Sequence, residues 1–156
     1  MSHDILVLGL GNTLLGDDGA GVHVIRRLSS NPATPLWLRA IDGGTMGFRL
    51  TSILSGASDV LIIDAAELSA PPGTIRMLDA EAIGARSRRT SAHEAGLADL
   101  LSLARLENFT PRHLAVLAIQ PEHIGWSETL SDAVEKAIAP SCAMVNAAAS
   151  AWREAA

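Results

Sequence analysis

The fold is constrained most by five short runs rich in Ile, Val and Leu, at Ile5–Leu8, Leu36–Ile41, Val60–Ile63, Ile75–Met77 and Leu114–Ile119. Their apolar character implies strands buried on both faces, as in a sheet sandwiched between helices. Segments of helical period fall between and after them, at about Gly21–Leu28, Met46–Leu54, Ala92–Leu106 and Leu130–Trp152. In the last, Leu130, Val134, Ile138, Cys142, Val145, Ala149 and Trp152 recur at three and four residues and so share one helix face. Pro140 lacks an amide hydrogen and crowds the carbonyl four residues back, so a kink or a broken first part is expected there. The alternation of strand and helix predicts one α/β domain over residues 1–156. Its twisted, mostly parallel, doubly wound sheet has about five strands, with helices on both faces. Ala70-Pro71-Pro72-Gly73 reads as a turn into a short antiparallel edge strand, and Arg86–Arg89 as a surface loop.

At 156 residues the chain is long enough to bury roughly 70% of its unfolded surface, so no disulfide or metal staple is needed for folding. Its single cysteine, Cys142, lies on the apolar stripe and reads as a core thiol rather than a nucleophile. Seventeen acidic against 12 basic side chains give a net charge of −5, with no Lys/Arg block. That balance offers no footprint for nucleic acid or an anionic membrane. No apolar run approaches the ~18 residues of a membrane span, and the N-terminus lacks the layout of a signal peptide. A cytoplasmic location is therefore expected.

Ligands of doubly wound sheets sit beyond the carboxyl ends of the strands, and three of those ends are unusual. The first strand runs into Gly9-Leu10-Gly11-Asn12-Thr13-Leu14-Leu15-Gly16-Asp17-Asp18-Gly19-Ala20-Gly21. Gly-x-Gly invites a dinucleotide reading, but Leu14 stands where a third glycine is needed, and Asp17 and Asp18 would repel a pyrophosphate. Acids here can also cap the next helix, a role that suits one of the two. The third apolar run ends in Asp64, a carboxylate costly to desolvate unless paired, hydrogen-bonded or metal-bound, or else a simple turn residue. The second ends in Asp42-Gly43-Gly44-Thr45, where positive φ or close approach and a plain turn with Thr45 as cap are both open.

Ser91-Ala92-His93-Glu94 forms a capping box that starts a helix and assigns Glu94 a structural role. His93 then lies in a first helical turn, where the positive dipole end favours the neutral, metal-binding imidazole. If the sheet gathers Asp18, Asp64 and His93, they make an open site for a borderline divalent ion, with room left for water or substrate. His3, His23, His113 and His123 show no liganding pattern. Neither a Gly-x-Ser-x-Gly elbow nor a His-Glu-x-x-His helix is present.

Taken together these stretches resemble the hydrogenase maturation endopeptidases. The resemblance runs through Leu8-Gly9-Leu10-Gly11-Asn12 with Leu14, then Asp17-Asp18-Gly19-x-Gly21 and Asp42-Gly43-Gly44-Thr45. It continues through Ile62-Ile63-Asp64-Ala65, Ser91-x-His93-x-x-x-Leu97 and Gln120-Pro121-Glu122, over most of the chain. It implies an endopeptidase that removes the C-terminal extension of a nickel–iron hydrogenase large-subunit precursor after nickel insertion. Asp18, Asp64 and His93 are implied as both the catalytic residues and the metal ligands, and no cofactor-binding residues are expected. The resemblance implies that the nickel is carried by the substrate precursor, where another divalent ion could replace it. Metal-assisted attack of water is favoured over an aspartic-type pair, with Asp17 behind the site or acting as a cap. The alternative is a non-catalytic metal-sensing or nucleotide-binding regulatory module.

Overall fold

The computed structural model describes residues 4–44, 49–79 and 92–156; of residues 92–96, 98 and 100 it describes the backbone alone. The strands are β1 (Ile5–Leu10), β2 (Leu38–Gly44), β3 (Asp59–Ala65), β4 (Ile75–Asp79) and β5 (His113–Ile119). The helices are α1 (Ala20–Ser30), α2 (Leu50–Ser55), α3 (Ala92–Leu106) and α4 (Asp132–Glu154), with a 3-10 turn at Asp17–Gly19 before α1. One sheet is ordered β2-β1-β3-β5-β4. β4 runs antiparallel to β5 and the other pairings are parallel.

Every residue of β1 and β3 is buried, as their unbroken apolar runs require. The edge strands β2 and β4 differ, with exposed residues along both, because an edge strand is covered on fewer sides. On one face Ile5, Val7, Leu61 and Ile63 pack with Val24, Leu28, Val134, Ile138 and Val145 of α1 and α4. On the other, Leu6, Leu8, Val60 and Ile62 pack with Leu50 and Leu54 of α2 and Leu97 and Leu101 of α3. The period of two along each strand thus divides the apolar residues between two cores.

Of the kink or broken first part expected at Pro140, the break does not occur: α4 runs unbroken from Asp132 to Glu154. Lys136, whose carbonyl loses its partner, and Pro140 are both exposed, so water can replace the missing bond. Ser141 adds a tie across that turn, its Oγ donating to the Ala137 carbonyl at 2.7 Å.

From β1 the chain crosses through α1 to β2 on one side, then returns through α2, on the other face, to β3 on the opposite side of β1. The order therefore reverses between β1 and β3. This is where a doubly wound sheet opens a crevice at its carboxyl edge.

Candidate active site

Glycines determine how the chain leaves β1. Gly11 has a φ of 124°, and a Cβ there would run into the carbonyl of Asp18. The segment folds back on itself, and the Asn12 N–H donates to Asp18 Oδ2 at 2.8 Å. Gly21 is pressed at the start of α1 against the carbonyls of Leu10 and Ile63, leaving no room for a side chain. The helix start is thereby wedged over the ends of β1 and β3, and the 3-10 turn packs against β3. Asp64 (3% exposed) is the last residue but one of β3, and Asp18 (2% exposed) lies in the 3-10 turn that follows β1. The glycine-rich run is thus a device for backbone packing, which sets Asp18 in a turn packed against β3.

Asp17 corrects the expectation that one of the two acids caps α1. The N-cap of α1 is Gly19 and makes no side-chain cap bond. Asp17, 1% exposed, instead accepts the N–H groups of Glu122 at 2.9 Å and His123 at 3.2 Å, and the N–H and Oγ–H of Ser131, both at 2.8 Å. Burial works to raise its pKa, but these hydrogen bonds outweigh it and hold the carboxyl below its ordinary value. Ser131 is also the N-cap of α4, its Oγ accepting from the Val134 N–H. One carboxylate therefore fastens the site turn to the loop after β5 and to the start of the terminal helix. No local sequence signal marks a contact that spans more than a hundred residues.

Gln120 fastens the segment that follows Asp64. Its Oε1 accepts the Leu68 N–H at 2.6 Å and its Nε2 donates to Glu67 at 3.0 Å. That bond from Gln120, with one from the Ser69 N–H, lowers the Glu67 pKa. At β2, Gly44 takes a φ of 43° and Gly43 lies against Leu8 and the Gly9 carbonyl, so both the positive φ and the close approach occur. Beside it an open cleft of about 150 Å³ is lined by Gly11, Asn12, Thr13, Arg26 and Asp42. Thr45 lies outside the described residues.

His93 is the second residue of α3, in helical register with the buried Leu97 and Leu101. This 15-residue helix, about 22 Å long, leads by a short connection to the start of β5. Its first turn is thereby carried back to the carboxyl edge of the sheet, on the face that Val60, Ile62 and Asp64 share by alternation. The His93 side chain, Ser91 and the Glu94 side chain of the expected capping box, and Arg86–Arg89 lie outside the described residues. Among the described residues no three His, Cys, Asp or Glu side chains form a metal-binding group.

Two further groups have roles away from this edge. Asp59, at the amino end of β3, is fully buried and takes a bidentate pair from Arg112 and a 2.6 Å bond from His113. The His113 ring stacks on Trp152 of α4 at 5.1 Å. Burial raises the Asp59 pKa, but the bonds from Arg112 and His113 prevail and hold it below its ordinary value. Cys142 is half-buried in the α1–α4 core, where burial pushes its thiol up. It behaves as the core thiol expected.

The fold is a doubly wound α/β domain with a buried acid, Asp18, in the turn after β1 and another, Asp64, near the end of β3. The family model described as "Hydrogenase maturation protease" matches residues 22–148. The chain is 34% identical over 140 residues to "Hydrogenase 2 maturation protease" of Escherichia coli, covering 86% of this chain and 85% of that protein. It is 32% identical over 123 residues to "Hydrogenase expression/formation protein HoxM" of Azotobacter vinelandii, covering 78% of this chain and 59% of that protein. The match thus spans about three fifths of the length of some curated relatives. The solved structure of the "hydrogenase maturating endopeptidase HybD" from E. coli superposes with a TM-score of 0.84 at 34% identity, covering 93% of this chain and 91% of that one. The chain belongs to the hydrogenase maturation protease family.

Proposed function

We propose that this protein is an endopeptidase that removes the C-terminal extension of a nickel–iron hydrogenase large-subunit precursor after nickel insertion. It would act in the cytoplasm. One observation supports the reading: two carboxylates, Asp18 in the turn that follows β1 and Asp64 near the end of the adjacent parallel strand β3, are almost wholly buried in a protease-family fold. Buried acids are costly to hold without a cationic or hydrogen-bonding partner, and such sites favour acid–base or metal chemistry.

In this reading Asp18, Asp64 and His93 face the nickel of the substrate complex. Two oxygen ligands and one imidazole suit a borderline divalent ion, and another such ion could stand in for nickel. A metal ion held by these residues would supply Lewis-acid polarisation of the scissile carbonyl or of a water. A carboxylate of the pair takes the proton as water oxygen bonds to the carbonyl carbon. That proton then passes to the leaving amide nitrogen as the C–N bond breaks. The Asn12 N–H on Asp18 fixes that carboxylate in place. An imidazole joined to two acids, as this reading requires, would favour this metal-assisted route over a proton-sharing aspartic pair.

Mass spectrometry of a nickel-loaded large-subunit precursor, incubated with this protein, tests the proposal. Loss of one C-terminal peptide is expected. A precursor of unchanged mass, bound but uncut, would instead indicate a metal-sensing module without catalysis.

A further inference from the structure

Three of the six large apolar side chains exposed among the described residues, Leu14, Ile124 and Trp126, fall on one pair of loops. The loops are stitched together by backbone bonds: Gly16 N–H to Ser127 O at 2.8 Å, Ser127 N–H to Leu14 O at 3.0 Å, Asp17 N–H to His123 O at 3.2 Å and Gly125 N–H to Leu15 O at 3.3 Å. Beneath them the buried Asp17 carboxylate takes the N–H groups of Glu122, His123 and Ser131. Trp126, 84% exposed, is therefore displayed on a braced loop. Such preorganisation lowers the ordering cost of binding. The display is continuous with the acid crevice, because Leu14 and Asp18 belong to the same short segment leading from β1 to α1.

Charge narrows the occupant. Residues 121–132 hold no Lys or Arg, and Glu122, Glu128 and Asp132 are exposed along them. A second copy docked on this patch would set the same acids against each other, and an anionic lipid surface would be repelled. An apolar segment carrying basic side chains has neither conflict.

We propose that the Leu14/Ile124/Trp126 double loop is the docking surface for the substrate chain beside its scissile bond, and that it takes an apolar, basic polypeptide segment. The proposal rests on the peptidase reading above. Trp126 is its anchor, since tryptophan is among the residue types that most often carry binding energy at such contacts, and Ile124 adds apolar area. The acidic rim selects against acidic flanking sequence.

The test compares the wild-type protein, an Ile124→Ala/Trp126→Ala double variant and a Leu106→Ala control, which removes an equally exposed apolar residue at the end of α3. Trimming of a nickel-loaded large-subunit precursor is followed for kcat and KM. Affinity is measured separately with Asp64→Asn added to each, so that the precursor is bound without being cut. The double variant is expected to bind and trim with KM and Kd raised about tenfold, kcat within about twofold and the thermal midpoint unchanged. The control should match wild type. A wild-type Kd that rises with salt supports the acidic rim, because screening weakens its attraction for a basic segment, and a Kd indifferent to salt overturns the basic character of that segment. Unchanged KM and Kd in the double variant, with wild type still trimming, overturn the docking surface alone and leave the peptidase reading standing. A self-associated wild type made monomeric by the double substitution also overturns it, in favour of a second copy. A wild type that leaves the precursor uncut removes the peptidase reading and the docking surface with it.

Discussion

Asp59 and Asp64 stand near opposite ends of the same strand and, by alternation, on opposite faces of the sheet, both almost wholly buried. Asp59, at the amino edge, is enclosed by Arg112 and His113, and His113 in turn leans on Trp152. That cluster ties the start of β3 and β5 to the end of α4. Asp64, at the carboxyl edge, lies near the end of the strand beside β1, whose following turn holds the buried Asp18. Burying a carboxylate serves cohesion at one end of β3 and, in the proposed function, chemistry at the other. The position of an acid relative to the switch point, more than its burial, separates the two uses.

Substitutions at the two ends should therefore part company, activity failing at one and stability at the other. The largest effect is expected at the carboxyl edge. Asp64→Asn or Asp18→Asn should lower the trimming rate by about 10²–10⁴-fold, the usual span for losing an acid–base group, with little change in the urea midpoint. His93→Ala should likewise abolish trimming with the fold intact, and precursor cleavage at the wild-type rate would remove it from the site. Next comes Asp17→Ala, which strips the partner from the N–H groups of Glu122, His123 and Ser131. A stability loss of about 1–3 kcal/mol is expected by urea unfolding. KM should rise with it, since the loop it braces carries Trp126.

Smaller still is the effect expected at the amino edge. Asp59→Asn should cost about 1–2 kcal/mol, because the groups it leaves behind are half-exposed and water can serve them, while trimming continues. A stable Asp59→Asn protein that no longer trims would break the comparison. The mildest signature is in pH. The pKa values of Asp17 and Asp59 are depressed in the folded state, so their contribution is complete above the unfolded carboxylate value of about 3.9. It is lost as pH falls through the folded values. Unfolding free energy should decline on acidification below about pH 4, and Asp59→Asn should flatten that limb.

The architecture was legible because it rests on local periodicity. The apolar runs gave all five strands, and Ala70-Pro71-Pro72-Gly73 announced the antiparallel edge strand that follows it. Strand ends were read short, since Leu10 and Asp64 extend β1 and β3 beyond their aliphatic runs into the site. The break expected at Pro140 did not occur because its missing bond faces solvent, something that periodicity cannot reveal. The expectation that one of Asp17 and Asp18 caps α1 fails for a different reason, visible at Asp17. A cap is a local device, whereas its real partners lie on a loop more than a hundred residues away. Asp59 with Arg112 and His113 was missed for the same cause. Ser58-Asp59-Val60 and Ile63-Asp64-Ala65 both read as an acid beside an apolar run, and only the pairing of β3 with β5 brings Arg112 and His113 to the first.

The central claim is tested most directly by giving one nickel-loaded large-subunit precursor to the wild type, Asp64→Asn and Asp59→Asn side by side and reading the precursor mass over time. The account predicts a single shortened product, missing one C-terminal peptide, from wild type and from Asp59→Asn, and an intact precursor with Asp64→Asn. Trimming by Asp64→Asn at the wild-type rate, or an intact precursor with the wild type, would contradict it.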